Sequence, residues 1–453
     1  MASGKATDRL ATWERVGLYY LAAVVIIFGA VTELRSAFLH RRMGDAGVFF
    51  RAAWAVRSGA DIYDVTDDNH WHFNYPPLFA ILMTPLADAP PNESQAGLLP
   101  FGASIGIWYT FNIACLIFAV HMLASALEAS STRPDVRGQP AYCRRWWYLR
   151  VLPILVCLPP VGLSLMRGQV NMVLLLLLAG LAASAMRGRS GSAGLWLAGA
   201  ICLKVIPAFL LLFPLWRRDR RCLIFCGFGL FAGLVAIPLL ALGPTRAVSS
   251  YQSFFEGVLA PGLGLSMHPT RARELLDVTA TASQSFQATL HNTLHPHRWY
   301  RPNHASDAVV WTGRLLGLSF TVFTLIAYGW RRKRDGLDSL VLLACLVLCM
   351  LFLSPICHLH YFTLSILLIM GLTLAEWEKR ADLRLSLGLG LLLAINVVAN
   401  ALPNFDGFEL FRDLGLAMYA GIWLWLSGVG LLWRRHSAEP ATVSDRLLTQ
   451  QAA

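Results

Sequence analysis

The chain has 453 residues, of which 56% are hydrophobic and 14% charged, and its mean hydropathy is +0.53. Soluble proteins carry roughly a quarter charged residues, so this composition excludes an ordinary soluble domain and indicates an integral membrane protein. The net charge of +11 does not indicate a nucleic-acid partner. The basic residues cluster at the ends of apolar runs, as they do in the cytoplasmic loops of membrane proteins.

The apolar runs are long enough for transmembrane helices and do not alternate like barrel strands, which predicts an all-α polytopic membrane protein. We predict a single domain over residues 1–453, with no internal repeat and both termini in the cytoplasm. No small-residue cleavage site precedes residue 33, so we expect the first run to be retained as a span. About ten spans are expected near residues 17–32, 105–127, 151–165, 170–186, 222–242, 309–330, 340–353, 361–376, 385–399 and 414–433.

Residues 33–90 are predicted to form the first outer loop. After Asp45, apolar residues recur at helical spacing as far as Gly59, which is typical of a helix lying along a membrane surface. Asp61 and Asp64 are of the type that turns or caps the chain after such a glycine. Tyr75 then begins a short apolar run over residues 75–86, and the sequence does not decide whether this run crosses the membrane. The alternative for the whole stretch is a solvated surface loop.

The next polar feature is a tight turn, Arg167-Gly168-Gln169, between two apolar runs. Basic residues then flank residues 190–216 on both sides, so this segment is expected to enter the membrane and return as a short hairpin. Lys204 and Pro207 lie where the chain must reverse. A charge inside an apolar segment is a functional-site hypothesis. The alternative is a single span whose lysine extends to the membrane surface.

Residues 243–308 are predicted to form a second, long outer loop, of the length that is often functional. His291, His295 and His297 are loosely spaced and no acid or cysteine accompanies them, so we do not expect a metal site. The nine cysteines lie mainly in apolar runs and form no CxxC pair, which argues against a disulfide framework or zinc site. No cofactor is expected.

This topology collects one acid and several cationic or hydrogen-bonding side chains on the outer side. An acid can take a proton from an incoming hydroxyl, and lysine, histidine and amide groups can hold a phosphate. Because no Gly-rich phosphate loop is present, the pattern favours transfer of a group from a lipid phosphate over a nucleotide donor. The candidate residues are Asp45, Tyr75, Gln169, Asn171, Lys204, Gln284, Ser285 and His360.

Five segments, in this order, resemble glycosyltransferase family 87, a group typified by mycobacterial polyprenol-phosphate-mannose-dependent mannosyltransferases. They are GDAGVFFRAAWAVRSGADIYD, YPPLFAILMTPLA, RGQVNMVLLLLLAGLA, LKVIPAFLLLFPLWRRD and SPICHLHY. The resemblance implies a GT-C fold with about 10–12 transmembrane helices and a catalytic acid in the first outer loop, a position that Asp45 matches. It also implies inverting transfer of a hexose, mannose above all, from a polyprenyl-phosphate donor to a lipid or glycan hydroxyl.

The resemblance further places donor-binding roles on the remaining candidates. Gln169 and Asn171 match a GQ-x-N turn, Lys204 a K-x-x-P hairpin, and His360 the histidine after a Ser-Pro turn. Gln284 and Ser285 resemble an N-Q-S segment, with Ser283 in place of asparagine, and Cys357-His358-Leu359 departs from the usual Ser-Trp-x. The resemblance implies a cell-membrane (inner-membrane) protein with membrane lipid as a partner and its site outside the cytoplasm.

Two other functions remain open from the sequence. A transporter or flippase of a lipid-linked or small solute is the alternative, although no pseudo-repeat and few intramembrane acids support it. A family member that has lost activity and serves as a scaffold is the other. Gln169 and Asn171, for their part, have the simpler interpretation that they satisfy backbone groups at a tight turn.

Overall fold

The computed structural model describes residues 9–35, 44–131, 137, 141–266, 271–275, 283–329, 336–379 and 385–437. These residues contain helices and isolated bridges but no strand. The α-helices are α1 (Thr12–Leu34), α2 (Ala46–Ser58), α3 (Pro77–Leu82), α4 (Phe101–Ser130), α5 (Arg144–Val156), α6 (Leu158–Met166), α7 (Asn171–Met186), α8 (Ser190–Leu203), α9 (Leu212–Trp216), α10 (Arg220–Phe231), α11 (Ile237–Leu242), α12 (Pro244–Phe254), α13 (Ala260–Gly262), α14 (Ala272–Leu275), α15 (Phe286–Leu294), α16 (Asp307–Tyr328), α17 (Gly336–Leu353), α18 (Ile366–Lys379), α19 (Leu387–Ala401), α20 (Glu409–Asp413) and α21 (Leu416–Ser437). Five 3₁₀ turns (Thr84–Leu86, Ile206–Leu211, Arg298–Tyr300, Leu359–Ser365 and Leu402–Asn404) and two π turns (Ala232–Ala236 and Phe255–Leu259) join or extend them.

The predicted class, an all-α polytopic membrane protein, is confirmed. Among the described residues, eight helices are long and apolar enough to cross a membrane, or nine if α5 and α6 count as one bent span. Helix α7 and the α8–α9 pair are apolar but shorter. The span of α17 and the one ending in α18 are each 89% buried, so they form the centre of the bundle.

The single span expected at residues 151–165 is instead two helices, α5 and α6, which meet at an angle of 67°. Helix α5 ends before Cys157, whose backbone is no longer helical (φ −100°, ψ 17°). Pro159 and Pro160 follow, and a proline has no N–H with which to continue a preceding helix. Prolines are tolerated in the first turn, where that N–H has no partner, so a new helix begins there.

The helix expected after Asp45 is present as α2, but it does not lie exposed on a surface. Phe49 and Phe50 are fully buried, and the Phe49 ring meets the rings of Tyr75 and Phe79 edge-on. Gly59 ends α2 in a left-handed conformation (φ 91°), which costs glycine little. The run at residues 75–86 forms only α3 and a 3₁₀ turn, too short to cross a membrane.

The long outer loop also differs from expectation, since much of it is helical. Helix α12 follows α11 directly after Gly243, and α15 lies later in the same stretch. The opposite end of the bundle is polar and ion-paired: Arg435 contacts Asp338 at 2.7 Å, and Ser131 Oγ donates to Glu378 at 3.3 Å.

Candidate functional site

Asp45 lies immediately before α2 and is held by the turn after α6. Its backbone N–H donates to the carbonyl of Arg167 at 2.8 Å, and its Oδ2 accepts from the Gln169 amide. Gly44 has φ +131°, and a Cβ there would lie 2.9 Å from the Arg167 carbonyl oxygen. Glycine is therefore required for this close approach.

The turn that holds Asp45 is itself fixed from a third helix. Gly168 has φ +66°, and a Cβ there would lie 2.6 Å from the Cβ of Ala46. The Gly168 carbonyl accepts from the indole N–H of Trp108 on α4 at 2.6 Å. Helices α2, α4 and α6 therefore meet at the acid.

Tyr75 connects the acid to the cation of the site. Its hydroxyl donates to Gln169 Oε1 at 3.4 Å, and its backbone carbonyl accepts from the hydroxyl of Tyr63 at 2.9 Å. The Nζ of Lys204 lies 5.5 Å from the centre of the Tyr75 ring. Burial raises the pKa of Tyr75 well above its usual value, so the phenol stays a neutral hydrogen-bond donor.

Lys204 lies where the helix is interrupted in the hairpin formed by α8 and α9. Helix α8 ends at Leu203, and Lys204 adopts an extended backbone (φ −151°, ψ 136°) before the 3₁₀ turn that contains Pro207. Its Nζ donates to the Tyr361 hydroxyl at 2.9 Å and lies 4.1 Å from the centre of that ring. No described acid forms a salt bridge with it, and its close contacts are aromatic.

His360 is the residue immediately before Tyr361 in the chain. Its side chain is 2% exposed, and its Nε2 has no hydrogen-bond partner among the described residues. The ring of His358 stacks on it, with centroids 5.0 Å apart. Burial, with the positive charges of Arg167 and Lys204, lowers the pKa of His358 to about 3. His358 is therefore neutral at physiological pH.

Asn171 connects two segments of the chain through hydrogen bonds of its side chain. It is fully buried, and its Nδ2 donates to Ser164 Oγ at 3.0 Å and to the His360 carbonyl at 3.3 Å. Ser164 Oγ donates to the same carbonyl at 3.1 Å. These contacts fix the backbone at His360.

Gln284 and Ser285 are not brought to the acid or the cation. The Gln284 amide group donates to the Arg412 carbonyl at 2.6 Å, and its backbone N–H donates to the Cys357 carbonyl at 2.6 Å. Ser285 Oγ donates to the Pro355 carbonyl at 3.0 Å. Both residues anchor the long outer loop to the segment that precedes the histidines.

A second part of the long outer loop is hydrogen-bonded to the first outer loop. Arg271 is 3% exposed and donates to Asn74 Oδ1 at 2.8 Å and to the carbonyl of Tyr63. Glu274 lies 2.7 Å from His72 Nδ1 and accepts from Asn74 Nδ2 at 3.1 Å. These contacts from the long outer loop therefore hold the segment that precedes Tyr75.

The groups around Asp45 act on the pKa of its carboxyl group in opposite directions. Burial raises its pKa, and the Asp67 charge adds to this; the Arg167 charge, the Gln169 hydrogen bond and the Lys204 charge act in the opposite direction. Tyr361 is a site residue that sequence reasoning missed, and its position directly after His360 is the one signal that pointed to it. Arg167 was recognised as part of the polar turn but was not among the candidate residues, although it lies two residues before Gln169.

Within the described part of the chain, no group of three or more His, Cys, Asp or Glu residues is arranged to hold a metal ion. His291 Nε2 instead contacts the Pro302 carbonyl at 2.9 Å.

The model of glycosyltransferase family 87 matches residues 73–355, which is more than half of the chain; Asp45 lies before this stretch and His360 after it. The chain is 34% identical over 151 residues to a polyprenol-phosphate-mannose-dependent alpha-(1-2)-phosphatidylinositol mannoside mannosyltransferase of Mycobacterium tuberculosis. It is 34% identical over 154 residues to the protein of the same description from Mycolicibacterium smegmatis. These alignments cover 33% and 34% of this chain and 32% of each relative, so the match spans about a third of their length.

Proposed function

Because this chain belongs to glycosyltransferase family 87, we propose that it transfers a hexose, mannose in the first instance, from a polyprenyl-phosphate donor to an acceptor hydroxyl. The proposal rests on the positions of Asp45 and Lys204, which lie on either side of Tyr75. One group can accept a proton and the other can bind a phosphate, which are the two functions that this reaction needs.

In the proposed reaction the Asp45 carboxylate takes the proton of the acceptor hydroxyl. The acceptor oxygen forms a bond to the anomeric carbon of the sugar from the face opposite the phosphate, so the configuration inverts. The bond between that carbon and the phosphate oxygen breaks, and its electron pair leaves with the polyprenyl phosphate. Lys204 stabilises the negative charge on the departing phosphate, and the free Nε2 of His360 offers a second contact to it.

A lipid-linked donor also needs an apolar path to the site. A cavity of about 1710 Å³ lies between α1, α4 and the α5–α6 pair. Apolar residues line most of it, and it reaches Leu165 and Met166, immediately before Arg167. A polyprenyl chain in this cavity would place its phosphate end beside the turn that holds Asp45.

The acceptor and the side of the membrane are parts of the same proposal. The relatives' names specify a phosphatidylinositol mannoside acceptor, which supports a glycolipid or glycan acceptor here. Among the described residues, Arg187, Arg189 and Arg217 lie at the ends of α7, α8 and α9 that are farther along the chain from Asn171 and Lys204, and basic loops remain in the cytoplasm. We therefore place the protein in the cell membrane with the site on the outer face and both termini inside.

The test is transfer of radiolabelled mannose from polyprenyl-phosphate-mannose in membranes that contain matched amounts of wild type, Asp45→Asn or Asp64→Asn. A general base contributes about 10²- to 10⁴-fold in rate, so we expect a loss of at least about 10²-fold for Asp45→Asn. Asp64 is an exposed acid of the same loop, and its variant should retain activity. Equal transfer by wild type and Asp45→Asn would refute the proposed base.

A further inference from the structure

Gln169 occupies the space between the acid and the phenol of the site. Its Nε2 donates to Asp45 Oδ2 and its Oε1 accepts from the Tyr75 hydroxyl. The residue is 6% exposed, and its backbone N–H donates to the Ser164 carbonyl at 2.9 Å. Both ends of the amide are thus already bound to protein groups.

From this geometry we infer that Gln169 is a positioning residue, which orients Asp45 as the base instead of binding the donor phosphate. The inference rests on the proposed function and deepens it. Because Oδ2 already accepts a hydrogen bond from Gln169, Oδ1 is the oxygen left to take the acceptor proton. No described residue hydrogen-bonds Oδ1.

Tyr75 has a defined part in this arrangement. A glutamine amide presents two N–H donors on one atom and an acceptor on the other, and a flipped amide would set its oxygen against the Asp45 carboxylate. The Tyr75 hydroxyl opposes the flip, because it donates to Oε1. The phenol therefore acts on the base through Gln169.

A hydrogen bond donated to a carboxylate favours its charged form and lowers its pKa. Loss of the Gln169 amide should therefore raise the pKa of Asp45, while the other groups that act on the carboxylate stay in place. Those groups are the charges of Arg167, Lys204 and Asp67, together with the neutral phenol of Tyr75.

The experiment measures the ionisation of Asp45 with and without turnover. Purified full-length wild type, Gln169→Leu, Tyr75→Phe and Gln252→Leu would be treated with dicyclohexylcarbodiimide, which modifies protonated carboxyl groups in apolar surroundings. Mass spectrometry of the Asp45 peptide over a pH series gives the midpoint of its titration. The pH dependence of kcat/KM and the donor KM are then measured with polyprenyl-phosphate-mannose.

We expect the labelling midpoint and the acidic limb of kcat/KM to move upward together by at least about one pH unit in Gln169→Leu, the size of a typical carboxylate–donor effect. Tyr75→Phe should move both by less and in the same direction. Gln252 is exposed on α12, and its variant should match wild type. Donor KM should change little in Gln169→Leu.

An unchanged midpoint with a raised donor KM would overturn the inference and return Gln169 to the phosphate. An unchanged midpoint with only a lowered thermal stability would also overturn it, in favour of a structural role. A shifted midpoint in a protein that transfers no sugar from any polyprenyl-phosphate donor would uphold the role of Gln169 toward Asp45 while refuting the proposed function.

Discussion

At the scale of one residue, Lys204 is a cation whose close contacts are aromatic rings and a hydroxyl group. An ammonium removed from water is costly unless other groups compensate for the lost hydration. Two aromatic rings and one hydroxyl do so in part. No described carboxylate forms a salt bridge with Lys204, whereas the buried Arg51 is paired with Asp68 at 2.9 Å. A phosphate oxygen of the proposed donor would supply such a charge.

Replacing Lys204 with methionine should therefore weaken donor binding. A hydrogen bond to a charged group contributes about 1.5–3 kcal/mol, so we expect the donor KM to rise roughly 10- to 100-fold. Lys204→Arg should retain part of the affinity, since it keeps the charge. Lys379→Met, an exposed lysine at the other end of the bundle, is the control. An unchanged donor KM in Lys204→Met would exclude Lys204 as a phosphate ligand.

The pH dependence of transfer should report Asp45 and not His358. A base works in its ionised form, so a raised pKa places the acidic limb of kcat/KM above the ordinary aspartate range of about 3.9. His358, with its pKa lowered to about 3, is already neutral there. The limb should keep its midpoint in His358→Gln, and a shift of that midpoint would assign it to the histidine.

At the scale of the element, the hairpin of α8, the 3₁₀ turn and α9 positions Lys204. The sequence predicts this reversal, because basic residues at both ends and a central proline leave few other topologies. It does not predict how closely α8 approaches α10. A Cβ on Gly194 would lie 2.2 Å from the Cys222 carbonyl oxygen, so this glycine allows the two backbones to pack together, as small residues do between membrane helices.

Gly194→Ala should consequently displace α8 from α10. Overpacking of this kind costs about 1–3 kcal/mol, so we expect a lower midpoint of thermal unfolding in detergent and reduced transfer as Lys204 moves. Gly227→Ala on α10 is the matched control, since a Cβ there meets nothing within 4 Å. Similar unfolding midpoints for the two variants would show that the α8–α10 contact does not limit stability.

At the scale of the whole molecule, the sequence predicts which segments are apolar and which polar groups share one side. Asp45, Gln169, Tyr75, Lys204 and His360 do come together. The sequence does not predict contacts between distant segments that carry no local signal. One example is the hydrogen bond from Gln284 to the segment before the histidines, which joins residues about 70 positions apart. Another is the hydrogen bond from Arg271 to the first outer loop, which joins residues about 200 positions apart. The bend at Cys157 was missed because prolines accompany both breaks and gentle kinks.

The last prediction concerns how the whole bundle sits in its membrane. All nine cysteines are buried, so a single introduced cysteine should react with a membrane-impermeant maleimide over a silent wild-type background. Ser94 is exposed before α4, at the same end as Asp45, and Arg187 is exposed after α7 at the opposite end. We expect Ser94→Cys to be labelled in intact cells and Arg187→Cys only after the membrane is opened. The reverse pattern would place Asp45 on the cytoplasmic face, where the proposed outer-face transfer could not occur.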